Sequence, residues 1–335
     1  RRSEQIRRWG VETEPSTDQA TRMGRQVSRV GAWIEAEQFR SRHSAGSARL
    51  ITPGGRCPPY ESTLMNFLHR LIATVFGLIA ATSFAQAPFD QSHKALDDLL
   101  KKHVTLISNG NASQLSYAGV ARDRAALKSY LDAVSAVPEA TYKSWNKNQQ
   151  LAFLINAYNA YTIELILTKY PNLKSIRDLG GTFSKPWGLK FFKLFGKETT
   201  LDNIEHDMIR AEGVFNDPRI HVAVVCASIG CPMLRNEVFT AEKIDAQLED
   251  GMQRFLSDKS RNRYNAETKK LEVSKIFDWY KKDFTKGYKG YASLEATLGK
   301  YADRLSNDPA AQAEIKAGKV AISHLDYDWN LNDKR

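Results

Sequence analysis

The chain has 335 residues, 26% charged and 42% hydrophobic, a globular composition that excludes disorder along its whole length. Its net charge of +10 is uneven: residues 1–64 hold eleven Arg, no Lys and seven acids, whereas residues 86–335 hold 36 basic and 31 acidic residues, a net +5. That is an ordinary surface, so nucleic acid is not an expected partner, and three Cys exclude a disulfide-dense scaffold.

Residues 1–64 show no sustained apolar period and are rich in Arg, Ser, Gly and Pro. They read as a translated upstream or disordered segment. Met65–Arg70 then forms a short basic n-region, Leu71–Ala81 an eleven-residue apolar stretch, and Thr82–Ala87 a run of mainly small residues. This layout predicts a signal peptide over 65–85, with cleavage after Ala85 or Ala87. Pro88 disfavours the second cut. The apolar stretch is shorter than the ~20 residues of a membrane span, so no transmembrane anchor is expected after cleavage. A periplasmic or secreted single domain over 86–335 follows.

Within it, Ser92–Ile107 and Arg122–Val137 read as helices, and Lys147–Tyr170 as the longest helix, stopped by Pro171. Leu189–Phe195 and Glu198–Leu201 read as a hairpin around Gly196-Lys197. Asp202–Ala211 reads as a short helix with Asp202 and Glu205 at capping-box spacing. Ile220–Val225 reads as a buried strand, and Thr240–Leu256 as a helix capped by Thr240. A strand at Lys270–Val273, helices at Lys275–Phe284 and Leu294–Leu305, and a last strand at Val320–Ile322 complete the reading. Helices outnumber short, scattered strands, which predicts an α+β fold with a small, mostly antiparallel sheet and a central buried helix.

Three clusters could carry chemistry. Asn156 and Asn159 lie three apart on the apolar central helix and share a face. Buried amides need partners, so they either clamp a neighbouring loop or face a pocket. The second cluster runs Arg219-Ile-His221 to Cys226-Ala-Ser228-Ile-Gly-Cys231-Pro232. A thiol there can serve as nucleophile if a base or positive field activates it. In an extended strand, His221 and Cys226 would lie ~16 Å apart on opposite faces, leaving His206 or His324 as base. Cys226 and Cys231 also read plainly as a structural disulfide, ahead of a redox-active pair or inert buried thiols. His206, His221, Cys226 and Cys231 include zinc-ligand types but lack close-spaced ligand pairs, so neither metal nor cofactor is expected. The third cluster is Glu205-His206-Asp207, where a carboxylate could orient a His; the same residues also suit a solvated helix face. The run Trp279–Tyr291 mixes aromatics and Lys, as an amphipathic helix does.

The segments Phe153-Leu-Ile-Asn156-Ala-Tyr158-Asn159-Ala, Leu201-Asp-Asn-Ile-Glu205-His206 followed by Arg210, Asp217-Pro-Arg219-Ile-His221, Cys226-Ala-Ser228 with Cys231-Pro232, Ser274–Tyr280 and Tyr327–Leu331 resemble the family known as domain of unknown function 547. The resemblance runs from about Trp145 to Leu331 and implies no settled activity. Its central helix, His and thiol are loosely similar to papain- or transglutaminase-like proteins. Those open the central helix with the nucleophilic Cys, where this chain has Asn156 and Asn159.

The expected function is a thiol-dependent hydrolase or acyltransferase acting on an envelope substrate. Cys226 would be nucleophile, His206 base and Glu205 its orienter. His221, Asn156, Asn159, Arg219, Ser228 and Cys231 would line or support the site. The alternative is a non-catalytic module that binds an envelope ligand or polymer and carries a structural Cys226–Cys231 disulfide.

Overall fold

The computed structural model describes residues 88–181 and 185–334. The upstream segment, the signal peptide and both cleavage points lie outside them. The first elements are α1 (Lys94–His103), β1 (Val104–Ile107), β2 (Ala112–Leu115), α2 (Tyr117–Arg122), α3 (Arg124–Ser135) and α4 (Glu139–Ser144). The helix expected over Ser92–Ile107 thus ends at His103. Its β-branched continuation pairs antiparallel with Ala112–Leu115 instead. Cross-strand pairing suits Val104, Thr105 and Ile107 better than another helical turn.

The central helix α5 spans Lys147–Leu167. Asn146 accepts from the Gln149 N–H while the Gln149 side chain accepts from the Asn146 N–H, a reciprocal cap that fixes its start. Every residue from Leu151 to Leu167 is buried. A helix apolar all round needs neighbours on every side, and here they include α2, α3 and α6. Strands β3 (Phe192–Leu194) and β4 (Lys197–Thr199) form the expected hairpin. Its turn is Phe195-Gly196, both with positive φ, as a tight two-residue hairpin requires.

Helix α6 (Asn203–Ile209) is wound more widely than an α-helix; the Arg210 N–H reaches back five residues to the Glu205 carbonyl. Asp202 makes no capping bond. The Asn203 N–H bonds Thr200 Oγ1 instead, so the expected Asp202–Glu205 capping box is absent. The expected strand at Ile220–Val225 is also absent. Pro218–Val222 forms a tight helical turn, entered through Pro218 and the Asp217 side chain, which accepts from the Arg219 N–H. Burial alone gives Val-rich runs their strand-like look; Asp-Pro at the entrance favours the turn.

Helix α7 (Ile244–Ser257) starts four residues after Thr240, which makes no side-chain cap. Beyond it come β5 (Arg263–Asn265), β6 (Lys270–Val273), α8 (Ile276–Trp279), α9 (Leu294–Lys300), α10 (Ala302–Leu305), α11 (Pro309–Lys316) and β7 (Ala321–His324). The strands divide among three small sheets rather than one, and only the β6–β7 pair is parallel. The fold is α+β and helix-rich. One hydrophobic cluster surrounds α5; a second gathers Met252, Phe255, Phe277, Phe284 and Leu298. No helix among the described residues is long and apolar enough to cross a membrane.

Candidate functional site

Asn159 positions the thiol loop. From α5 its Nδ2 donates to the Ala223 carbonyl at 2.9 Å, and its Oδ1 accepts from the Val225 N–H at 3.0 Å. The amide thus pairs with the irregular segment just before Cys226 as a strand backbone would. One turn away, Asn156 does the same to Phe239, at 2.8 and 3.0 Å. Both amides are clamps, with their capacity directed at backbone. Arg219, 5% exposed, is held by Asp217, Asp245 and Glu249 and anchors the turn before the loop.

After Val225 the chain turns sharply. Ala227 has a φ of 62°, and the Cys231 N–H bonds the Ser228 carbonyl at 3.1 Å. The turn brings the two sulfurs to 2.7 Å as unbonded thiols. Cys231 is buried and Cys226 partly exposed. The Cys226 N–H donates to Cys231 Sγ at 2.9 Å. Cys226 Sγ also lies 2.9 Å from Ser228 Oγ and 3.1 Å from the Tyr327 hydroxyl. Burial pushes the Cys231 thiol up, but the Cys226 thiol, the Tyr327 hydroxyl and backbone N–H groups outweigh it and bring it down to about 7. The Cys226 thiol is raised, first by its hydrogen bond to Cys231 and then by burial. The pair therefore carries a single negative charge most readily, centred on Cys231 with Cys226 donating to it.

The C-terminal segment straps this loop. Ile229 and Gly230 N–H groups donate to the Asn330 and Asp328 carbonyls at 2.8 Å, and the Asn332 N–H to the Ala227 carbonyl at 3.1 Å. A Cβ on Gly230 would lie 3.0 Å from Asp328 backbone atoms, tighter than ordinary packing, which favours glycine at this approach. Trp329 follows, between Trp187 and Trp279, with Arg177 over its ring. Ile229 and Trp279, 41% and 48% exposed, leave apolar surface beside the loop.

A second polar cluster lies deeper. Glu205 is buried and receives hydroxyl bonds from Tyr158 at 3.1 Å and Tyr280 at 2.8 Å. Both phenols are raised, first by burial and then by the charge of Glu205, with Cys226 a smaller contributor. His221 stacks on Tyr280 at 3.8 Å, and its Nε2 lies 2.8 Å from Asp283, which also accepts from Arg210 Nε at 2.8 Å. Burial pushes the Asp283 carboxyl up, but these two donors outweigh it and hold it below the usual carboxylate range. Burial likewise lowers the His221 pKa, against the Asp283 and Glu205 carboxylates, and its Nδ1 is buried without a hydrogen-bond partner.

Glu205 and His206 diverge. Glu205 faces the tyrosines, while His206 lies near the surface with its Nδ1 taking a hydrogen bond from Arg210 Nη1 at 2.5 Å. Their closest approach, 4.0 Å, exceeds a hydrogen bond. The hydrogen bonds of Cys226 and Cys231 include neither His206 nor His221. The structure thus gathers Cys226, Cys231, Ser228 and Asn159, and places His206, Glu205 and His221 in an adjoining network. Tyr280, Asp283 and Tyr327 carry no site signal of their own along the chain. The first two sit in an aromatic and Lys run that reads as amphipathic, and Tyr327 lies 101 positions from Cys226. A cavity of about 410 Å³ lined by Phe89, His93, Tyr130 and Val137 includes none of these site residues.

Fold and site together define a helix-rich α+β domain with a paired-thiol loop clamped onto its central helix. Residues 142–256 match the family model DUF547, protein of unknown function, and the chain carries a DUF547-type domain. The match includes α5, α6 and both sulfurs but ends before Tyr280, Asp283 and Tyr327. No curated protein and no solved structure matches the chain.

Proposed function

We propose that this chain is a thiol-dependent hydrolase or acyltransferase of the cell envelope, with Cys226 as nucleophile. The observation that carries the reading is the partly exposed residue Cys226, whose Sγ is set within hydrogen-bond reach of one buried thiol and two hydroxyls. In the attack on an acyl carbon, the Cys226 proton passes to Cys231 Sγ, already its hydrogen-bond partner. Ser228 and Tyr327 hydroxyls then turn from the sulfur to the oxyanion forming beside it. Cys231 replaces His206 as proton acceptor because the imidazole bonds neither sulfur. The envelope location rests on the layout of Met65–Ala85. An electrophilic acyl probe should label Cys226 in the native protein. Cys226→Ala should abolish labelling and Cys231→Ser should slow it about 10²-fold. Unchanged labelling of Cys226→Ala would sink the reading.

The 2.7 Å between the sulfurs favours one second reading, a binding module in which the pair is a permanent disulfide. It predicts no alkylation of either sulfur by iodoacetamide before reduction, and envelope-polymer binding that survives replacement of both by Ser.

A further inference from the structure

The two sulfurs differ in access, and that difference has a chemical use which acyl transfer leaves idle. Cys226 is partly exposed, whereas Cys231 is buried at 4% exposure. They are 2.7 Å apart, so closing a covalent bond of ~2.05 Å needs less than 1 Å of movement. Asn159, Gly230 and the Asn332 backbone hold the loop in that shape from three sides. We propose a second activity for the loop: a dithiol that reduces accessible disulfides, with Cys226 as the attacking sulfur and Cys231 as the resolving sulfur.

The steps balance. Cys226 Sγ attacks one sulfur of a substrate disulfide while its proton moves to Cys231 Sγ; the substrate S–S bond breaks and one substrate thiolate leaves. That thiolate takes the proton from Cys231. Cys231 then attacks Cys226 Sγ, the mixed disulfide breaks, and the second substrate sulfur departs as a thiolate that water protonates. One disulfide has been reduced to two thiols, and the protein pair has been oxidised by two electrons. The buried resolving sulfur cannot start the reaction, and its place beside Cys226 keeps the mixed disulfide short-lived. This activity rests on access and spacing, and stands or falls independently of acyl transfer.

The test uses the full chain, reduced and then exposed to glutathione disulfide as probe, with mass analysis of the tryptic peptide spanning 220–235, which holds both sulfurs and excludes Cys57. The wild type is expected to lose about 2 Da with no accumulating adduct, and Cys231→Ser to gain about 305 Da as a stable glutathione adduct on Cys226. Cys226→Ser should stay unmodified. A thermal melt for each variant identifies any that fails to fold, and Tyr327→Phe, which keeps both thiols, should still lose the two hydrogens. A stable adduct on the wild type would overturn the proposal. So would modification of Cys226→Ser at the wild-type rate, or a bridge that resists dithiothreitol in the folded protein. Acyl-probe labelling of Cys226 is read separately, so the two proposals fail separately.

Discussion

Asn156 and Asn159 do the same local work for different loops, which makes them a controlled pair. Each replaces two backbone hydrogen bonds that its loop cannot make in a sheet. Truncation to Ala leaves a buried carbonyl and N–H unsatisfied, a cost of about 2–4 kcal/mol for either variant. The consequences at the thiols should differ. Asn159→Ala frees the segment before Cys226 and is expected to change its alkylation rate severalfold. Asn156→Ala, acting on Phe239, is expected to leave it unchanged while lowering the melting temperature by a similar amount. Equal effects on alkylation would show that the clamp merely stabilises. Helical spacing predicts that the two amides share a face. That they bind backbone rather than a pocket was decided by which loops come to lie there.

His93 sets a pH dependence on the same scale. Burial drives its pKa from 6.5 to about 4, while Nδ1 bonds the Tyr130 hydroxyl at 2.7 Å. The unfolded chain therefore binds the proton more readily, so the contribution is complete above pH 6.5 and is lost as pH falls toward 4. The span corresponds to about 3 kcal/mol. Urea unfolding at pH 7.5 and 4.5 should show this loss in the wild type. In His93→Asn, which suits the positive φ of 49° at this position, the difference should shrink.

At the scale of elements, the informative departures lie on either side of the thiols. The run 220–225 looks like a strand because it is buried on all sides, and burial alone does not distinguish a strand from a packed turn. Asp217 and Pro218 settle the turn locally. Helix α6 keeps its predicted place but takes a wider winding, with Glu205 buried and His206 near the surface. Gly230 is the point where loop and strap meet. Gly230→Ala would place a methyl group 3.0 Å from the Asp328 backbone and the Tyr327 ring, so the strap must shift outward by a few tenths of an ångström. The expected result is a lower melting temperature together with faster iodoacetamide reaction at Cys226 and greater acrylamide quenching of tryptophan emission. A variant with unchanged quenching would mean that the loop, rather than the strap, gives way.

Across the described residues, the segment 326–334 joins distant parts. Leu115 and Asn332 share a backbone bond, Tyr117 donates to the Asn332 side chain, and Tyr170 to Asp333. Truncation after Leu325 removes these contacts and the Tyr327 hydroxyl at once. It is expected to lower the melting temperature well beyond Tyr327→Phe and to remove the contrast in alkylation between Cys226 and Cys231. The envelope proposal has its own test: protein expressed from Met65 should be recovered from the periplasm with an intact mass beginning at Gln86. A product retaining Met65 would refute it.

The sequence by itself determined the α+β class, the long buried helix, the existence of the hairpin, though with its turn one residue later at Gly196-Lys197, and the pairing of the two cysteines as a candidate centre. Each follows from local patterns: apolar period, turn residues and short spacing. The tertiary structure decided which groups meet the sulfurs. Tyr327 approaches from the C-terminal strap, Asn159 from the central helix, and His206 bonds Arg210 rather than either sulfur. Those contacts depend on chain crossings and on the phase of one helix, and neither leaves a mark in the spacing of residues along the chain.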